Sequence, residues 1–379
     1  MDAKKFIKNK SFCVLPWTGF MLYPSGIVTN CVISKNELGH IEDNSIEQIM
    51  GNNINKQLKK DMNADAKPSN CSGCHYKEAS TKSITGISDR LYYNREIAKT
   101  FDESKEFELQ TVDLRWTNAC NQACVYCSPA WSSKWATELG RKVKSNKLAR
   151  ERVKKYVFDN VLTLKNVYLA GGEPMMMNEN KEFLTLLLEK NPDVHLRINT
   201  NLSYTNTGVF ELVCQFKNVH WIISGEAIEH EYEYIRHHGN WQNFYKNIKH
   251  IQTLGHKVTF NMLYFILNYK SLFDTVAFFK NEGFHENSFI IGPMLTPEYL
   301  NILNLPDRVI DDIKIKLTNE INNTNFYLKN SYQNLLKYIN DTTWQHDPKN
   351  FYKQIEILDK RRNQNSRLVF PKLYEDLND

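Results

Sequence analysis

Cys120-Asn121-Gln122-Ala123-Cys124-Val125-Tyr126-Cys127 is the stretch on which the reading of this chain turns. Three cysteines at spacings of three and two can place thiolates on three corners of an iron-sulfur cube, leaving the fourth iron without a protein ligand. Closed structural metal sites take four ligands. A compact triple therefore implies a metal with a position open to substrate, or a fourth cysteine elsewhere in the chain. A zinc knuckle and three unrelated cysteines are the alternative readings of the same residues.

Outward from that stretch, the 379 residues suffice for one large domain and a smaller one, with apolar content enough for a core. The charged opening Met1-Asp2-Ala3-Lys4-Lys5 leads into no apolar run of signal-peptide length, and no later segment has the length and polarity of a membrane span. The expectation is a soluble, cytoplasmic protein. Eight clustered cysteines in that setting point to metal or cluster ligation rather than to disulfides. A net charge of +5 does not by itself imply nucleic acid, and nucleic-acid recognition modules are absent from the sequence.

Upstream lie Cys13, Cys31, Cys71 and Cys74, the number that closes a 4Fe-4S cube or a tetrahedral zinc, with Cys71-Ser72-Gly73-Cys74 read as a tight turn. Residues 16 to 30 read as two short strands around a Pro24-Ser25-Gly26 turn, so a cysteine stands at each outer end of a hairpin. His75 beside Cys74 is read as a bystander. Ile46, Ile49, Met50, Ile54 and Leu58 have helical spacing over 45 to 62 behind Asn44 and Ser45 as caps. The polar stretch from about 80 to 107 is taken as a link.

From residue 109 short apolar runs alternate with helical stretches, the pattern of strand-helix units around a parallel sheet. Six strands are expected near 110 to 116, 166 to 170, 194 to 199, 219 to 224, 257 to 264 and 288 to 292. The fold class is α/β: a partial (β/α)6 barrel over 108 to 295, a small cluster-binding module and linker over 1 to 107, and a mainly helical extension over 296 to 379. Chemistry in such a barrel sits on the loops after the strands. The first such loop carries the cysteine triple. The second carries Ala170-Gly171-Gly172-Glu173-Pro174, where glycines permit close backbone approach and Glu173 can accept from an ammonium group. The third begins at Asn199-Thr200, suited to ribose hydroxyls or to capping a helix. The fourth carries Ser224-Gly225-Glu226 with Arg236 farther on, and the sixth has Gly292 either as room for an adenine or as a simple turn. Cys214, among Leu212, Val213 and Phe216, reads as a buried helix residue.

The C-x3-C-x2-C triple with Tyr126 before its last cysteine, followed by Gly171-Gly172-Glu173-Pro174, resembles the radical S-adenosylmethionine (radical SAM) superfamily. That resemblance implies a cluster on Cys120, Cys124 and Cys127 whose open iron binds SAM. It further implies a GGEP contact to the SAM amino group, and one-electron cleavage to methionine and a 5'-deoxyadenosyl radical that abstracts hydrogen from substrate. Cys13, Gly26 and Cys31, with the later C-x2-C, resemble the SPASM/Twitch auxiliary-cluster modules of the same superfamily. Ser80 stands where a further SPASM cysteine would fall, so the match is to the shorter Twitch form. The module precedes the barrel here, whereas it commonly follows it. In SPASM-type relatives a serine and an arginine at the places of Ser224 and Arg236 hold the SAM carboxylate, and an aspartate stands where this chain has Glu226. A four-cysteine auxiliary 4Fe-4S cluster has no open iron, which implies electron transfer, as in the aminocyclitol dehydrogenases, unlike the GTP 3',8-cyclases with their open auxiliary iron.

The basic run Arg141, Lys142, Lys144, Lys147, Arg150, Arg152, Lys154 and Lys155 is either a solvated surface or a dock for an acidic electron donor such as a flavodoxin. Helices are expected near 307 to 320 and 329 to 340, packing on the open side of the barrel. Substrate identity stays open between a peptide or protein side chain and a small sugar or nucleoside. The rival from another class is a zinc-binding scaffold or interaction protein that makes no radical, for which the four upstream cysteines would suffice.

Overall fold

The computed structural model describes residues 9–34, 36–80, 88–141, 147–344 and 347–378. The charged opening before residue 9, together with Lys142 and Lys144 of the basic run, lies outside them. Among the described residues nine strands form one sheet in the order β3-β2-β1-β4-β5-β6-β7-β8-β9. The strands are β1 Gly19–Leu22, β2 Ile27–Thr29, β3 Gly39–His40, β4 Thr111–Leu114, β5 Asn166–Leu169, β6 His195–Thr200, β7 Val219–Ser224, β8 Lys257–Tyr264 and β9 Phe289–Pro293. β4 to β9 pair in parallel, as the strand-helix alternation requires, and form the partial barrel.

Alternation along these strands separates two faces. Val112, Leu114, Val167, Leu169, Leu196, Ile198, Trp221, Ile223, Phe260 and Met262 are fully buried in the main core with helix residues Phe183, Leu184, Leu187, Phe244 and Ile248. The other face is polar. Asp113, Tyr168, Arg197, His220 and Lys257 stand side by side across five strands, and Ser224, Asn261 and Ile290 form another row. Arg115 forks onto Asp113 with two 3.0 Å hydrogen bonds. Arg197 lies between the rings of Tyr92 and Tyr168, at 4.8 and 5.0 Å from their centroids. The exposed edge of β9 is covered rather than left to pair: Ile291 N donates to Ser331 Oγ, on the helix Phe326–Asp341, at 3.2 Å.

The N-terminal hairpin is part of this sheet. β1 runs parallel to β4 and antiparallel to β2, so hydrogen-bonded pairing crosses the 107/108 position. Phe20, Leu22, Val28, Ile46, Ile49 and Met50 join the main core. A second, smaller core holds Phe12, Cys13, Val14, Leu15, Trp17, Leu58, Met62, Tyr93, Ile97 and Phe101, with Cys31 and Cys71 packed on it.

Several local expectations are corrected. The helix expected over 45 to 62 is two helices, Ile46–Met50 and Asn53–Asn63. Ser45 and Gln48 form a capping box on the first, which ends at Gly51, and Asn52 caps the second, leaving Ile54 exposed. Cys71-Ser72-Gly73-Cys74 is a 3-10 turn, Ser69–Cys71, running into the helix Ser72–Ser80, because no residue there forces a reversal. The link contains the helix Asp89–Ile97, capped by Ser88, whose buried Arg90, Tyr93, Asn94 and Ile97 give it a packing face that charge counting conceals. Cys214 is half-buried and caps the helix Gly208–Val213. In the basic run, Lys154 bridges Glu151 and Glu182, Lys155 pairs with Asp159, Arg150 lies 3.6 Å from Glu179, and Arg152 donates to the Glu42 carbonyl. These partners neutralise much of the described run and favour the solvated-surface reading. The extension is helical, with Asp307–Asn323, Phe326–Asp341, Pro348–Arg362 and Pro371–Asn378 as its main members.

Candidate radical cluster site

The cysteine triple follows β4 and is fastened at both ends by the chain around it. Cys120 N donates to Ser133 Oγ at 3.1 Å, Ser132 Oγ to the Gln122 carbonyl at 2.6 Å, and Trp135 Nε1 to the Cys124 carbonyl at 2.7 Å. Ala123 N and Val125 N donate to the carbonyls of His237 and Ile235. Polar hydrogens then reach the sulfurs: Gln122 N at 3.5 Å and Asn201 Nδ2 at 3.9 Å from Cys120 Sγ, Arg236 Nη1 at 3.5 Å from Cys124 Sγ. Such donors stabilise sulfur carrying negative charge. Burial, and after it the nearness of Cys124, push the Cys120 and Cys127 thiols up to about 12. Three sulfurs on one short loop, two of them with polar hydrogens aimed at them, suit a metal cluster, whose positive charge would hold them as thiolates.

The Gly171-Gly172-Glu173-Pro174 loop is pressed against this one. Glu173 N donates to the Ala119 carbonyl at 2.7 Å, and Gly172 N to that of Thr117 at 3.3 Å. A Cβ on Gly172 would lie 2.1 Å from Ala119 O, so only glycine allows this approach. Gly171 adopts φ +113°, a conformation glycine takes without strain. Glu173 is fully buried and accepts from Thr200 Oγ1, Asn201 N and Met175 N at 2.7, 2.8 and 3.1 Å. Burial raises its carboxyl to about 7 against the lowering effect of those hydrogen bonds.

The remaining candidates divide by face. Asn199, Ser224 and Gly292 stand on the polar face of the barrel. The Oδ1 of Asn199 is buried without a hydrogen-bond partner, and a Cβ on Gly292 would meet nothing within 4 Å. Thr200 points to the other side and holds Glu173, a consequence of strand alternation at neighbouring positions. Pro174 opens the 3-10 turn that follows. Arg236 is not in a surface pair with Glu231 or Glu233: its guanidinium forks onto Glu226 at 2.9 and 3.0 Å, with the two side chains 4% and 2% exposed. Tyr126 OH donates to Glu226 Oε1 at 2.9 Å and accepts from Arg236. Glu226, at the place where the resemblance expects an aspartate, is thus tied to Arg236, and Gln122, which spacing did not single out, accepts from Arg236 Nη1 at 3.4 Å. An acid two residues after a strand-end serine was the available signal for Glu226.

The four upstream cysteines also come together. Cys13 is raised by burial and then by the nearness of Cys31, Cys71 and Cys74. Cys13 precedes β1 and Cys31 follows the antiparallel β2, so this group lies at the end of the sheet opposite the triple. The helix Asp89–Ile97 stands between, with Tyr93 OH accepting from Arg197 at 3.3 Å and Tyr92 OH 3.0 Å from His195 Nδ1.

Residues 114–279 match the Radical SAM superfamily. The span covers all three cysteines, the glycine pair, Glu173, Ser224 and Arg236. That family is one of enzymes using a 4Fe-4S cluster and S-adenosylmethionine. Among curated proteins, the chain is similar to a GTP 3',8-cyclase of Campylobacter lari, 29% identical over 90 residues, which is 23% of this chain and 26% of the cyclase. Similar solved structures include anSMEcpe with bound AdoMet, at 15% identity and TM-score 0.40, with 54% of this chain and 57% of that one covered. Another is Streptococcus suis SuiB bound to precursor peptide SuiA, at 18% identity and TM-score 0.41, with 74% and 64% covered. The chain thus spans about a quarter of the curated relative and less than two thirds of either structure. No helix among the described residues is long and apolar enough to cross a membrane.

Proposed function

We propose that this chain is a radical SAM enzyme that cleaves S-adenosylmethionine and abstracts hydrogen from a carbon of its substrate, a peptide or protein side chain or a small sugar or nucleoside. The observation that carries the reading is the clasp of the two loops, with Gly172 against Ala119 and the buried Glu173 carboxylate near the Cys120 thiol. When bound, the cluster and SAM supply one electron and a 5'-deoxyadenosyl radical. Cys120, Cys124 and Cys127 would hold the metal, and Glu173 would accept from the SAM ammonium. Asn199 offers an unpaired acceptor, Ser224 a hydroxyl, and Gly292 open space on the same face. Arg236, engaged on Glu226 and Cys124, keeps the cysteine loop closed. Enclosure matters because a primary alkyl radical attacks most C–H bonds, so the target must be fixed in contact and water kept out.

Cys13, Cys31, Cys71 and Cys74 we assign to an auxiliary 4Fe-4S cluster for electron transfer. The nearness of Cys31, Cys71 and Cys74 to Cys13 supports one ligand set, and four thiolates close the coordination of such a cube. Anaerobic reconstitution tests the whole reading: about eight irons with matching sulfide, and 5'-deoxyadenosine formed from SAM and reductant. Stoichiometric zinc without cleavage would replace it with the scaffold reading.

A further inference from the structure

Glu138 ends the helix Ser133–Glu138 behind the cysteine loop, and His237-His238 follow Arg236 beyond the helix Glu229–Ile235. A carboxylate oxygen and one nitrogen from each imidazole lie within 4.8 Å of one another. His237 Nε2 and Glu138 Oε1 are 3.9 Å apart, too far for a hydrogen bond. That gap falls inside the roughly 4.2 Å that two ligands can span at about 2.1 Å from one ion. Glu138 Oε1 is buried and has no hydrogen-bond partner. Its sister oxygen is not free: Arg362, 2% exposed and stacked over Trp135, donates to Oε2 from Nη2 at 3.1 Å and from Nε at 3.3 Å. Ligating carboxylates are commonly oriented by such an outer hydrogen bond. His238 adopts φ +70°, which turns its ring to within 4.0 Å of the His237 ring, centroid to centroid. An imidazole binds a metal through the lone pair of one ring nitrogen, and each of these two rings offers one within reach of the carboxylate oxygen.

We propose that Glu138, His237 and His238 form a separate site for one divalent transition-type cation, zinc in the simplest case, bound through one carboxylate oxygen and two imidazole nitrogens. Imidazole donors select such an ion over magnesium or calcium. The nearby cations Arg362 and Lys134 weaken binding of any dication, which again favours the ion with the strongest bonds to nitrogen. Its ligands join the segment that accepts hydrogen bonds from the cysteine loop to the helix that follows it. Through Arg362 they also reach the end of the helix Pro348–Arg362. Bound metal would thereby tie the C-terminal extension to the cluster loop.

The test uses the full chain with its clusters loaded, so that thiols are occupied, given one equivalent of zinc and then gel-filtered. About one zinc is retained, and its K-edge absorption shows only a nitrogen/oxygen shell near 2.0–2.1 Å. His238 is exposed, and asparagine tolerates its positive φ. H238N therefore keeps its melting temperature and iron content while losing retained zinc at least tenfold, and E138Q loses retained zinc likewise. Failure to retain zinc, a sulfur shell near 2.3 Å, or unchanged retention in H238N overturns the site. Iron content and SAM cleavage are read separately, so the radical chemistry stands or falls on other data.

Discussion

Gly172→Ala puts the central geometric claim at risk with a single methyl group. The added Cβ would sit 2.1 Å from Ala119 O, 2.6 Å from Ala119 C and 2.7 Å from Asn118 C, all of them backbone atoms. Restoring even a 3.0 Å contact with that oxygen separates the two loops by about 0.9 Å, since no flexible side chain can give way. That movement strains the 2.7 Å bond from Glu173 N to Ala119 O and carries the carboxylate away from the triple. Overpacking of this kind costs about 1–3 kcal/mol of stability. Displacing a positioning group by about 1 Å costs roughly a hundredfold in rate. Because all seven candidate ligand cysteines are untouched, iron loading should stay near wild type while 5'-deoxyadenosine formation falls by about two orders of magnitude. Iron and sulfide counts, thermal melting and SAM-cleavage rates on one anaerobic preparation check this. A G172A protein that melts as wild type and cleaves SAM at the wild-type rate would refute the clasp as the basis of the site.

Further outcomes follow from the same contacts. Glu173 has its folded pKa raised from 4.5 to about 7, so the stability it contributes is fully present below 4.5 and lost as pH rises through 7. The window is worth about 3 kcal/mol, and E173Q should flatten that part of the pH-stability curve; equal slopes would contradict it. Since an ammonium ligand favours the ionised form, SAM binding to wild type should tighten as pH rises from 6 to 7, and to E173Q it should not. Cys74→Ala should halve the iron count and abolish substrate turnover while SAM cleavage continues; retained turnover would end the electron-transfer role. Arg236→Met strands the buried Glu226 and should cost about 3–5 kcal/mol, with part recovered in the R236M/E226Q double variant. Unfolding midpoints decide this, and a loss under 1 kcal/mol would place the pair in water.

Strand positions were legible because an apolar run bounded by helical periodicity has few other solutions, and β4 to β9 fall where the runs do. The hairpin was legible from its turn, but its merger with the barrel sheet was not: edge pairing of β1 with β4 leaves no trace in either strand's own pattern. The helix Asp89–Ile97 was missed for a similar reason. Its inward side is Arg90, Tyr93, Asn94 and Ile97, and the polar groups of the first three are buried only because Glu78, Phe12 and Arg197 stand ready to pair with them.

The cysteine triple and the Gly-Gly-Glu-Pro turn are local, and ligand spacing together with glycine's tolerance of close approach is a property of neighbouring residues. That much the sequence alone determined. Tertiary structure decided which distant groups face them. Glu226 closes on Arg236 and Tyr126, Thr200 turns away from the polar face to hold Glu173, and the four upstream cysteines gather at the opposite end of the sheet. Such meetings are set by sheet order and strand direction, which fix where a side chain ends up only after the whole chain has folded around it.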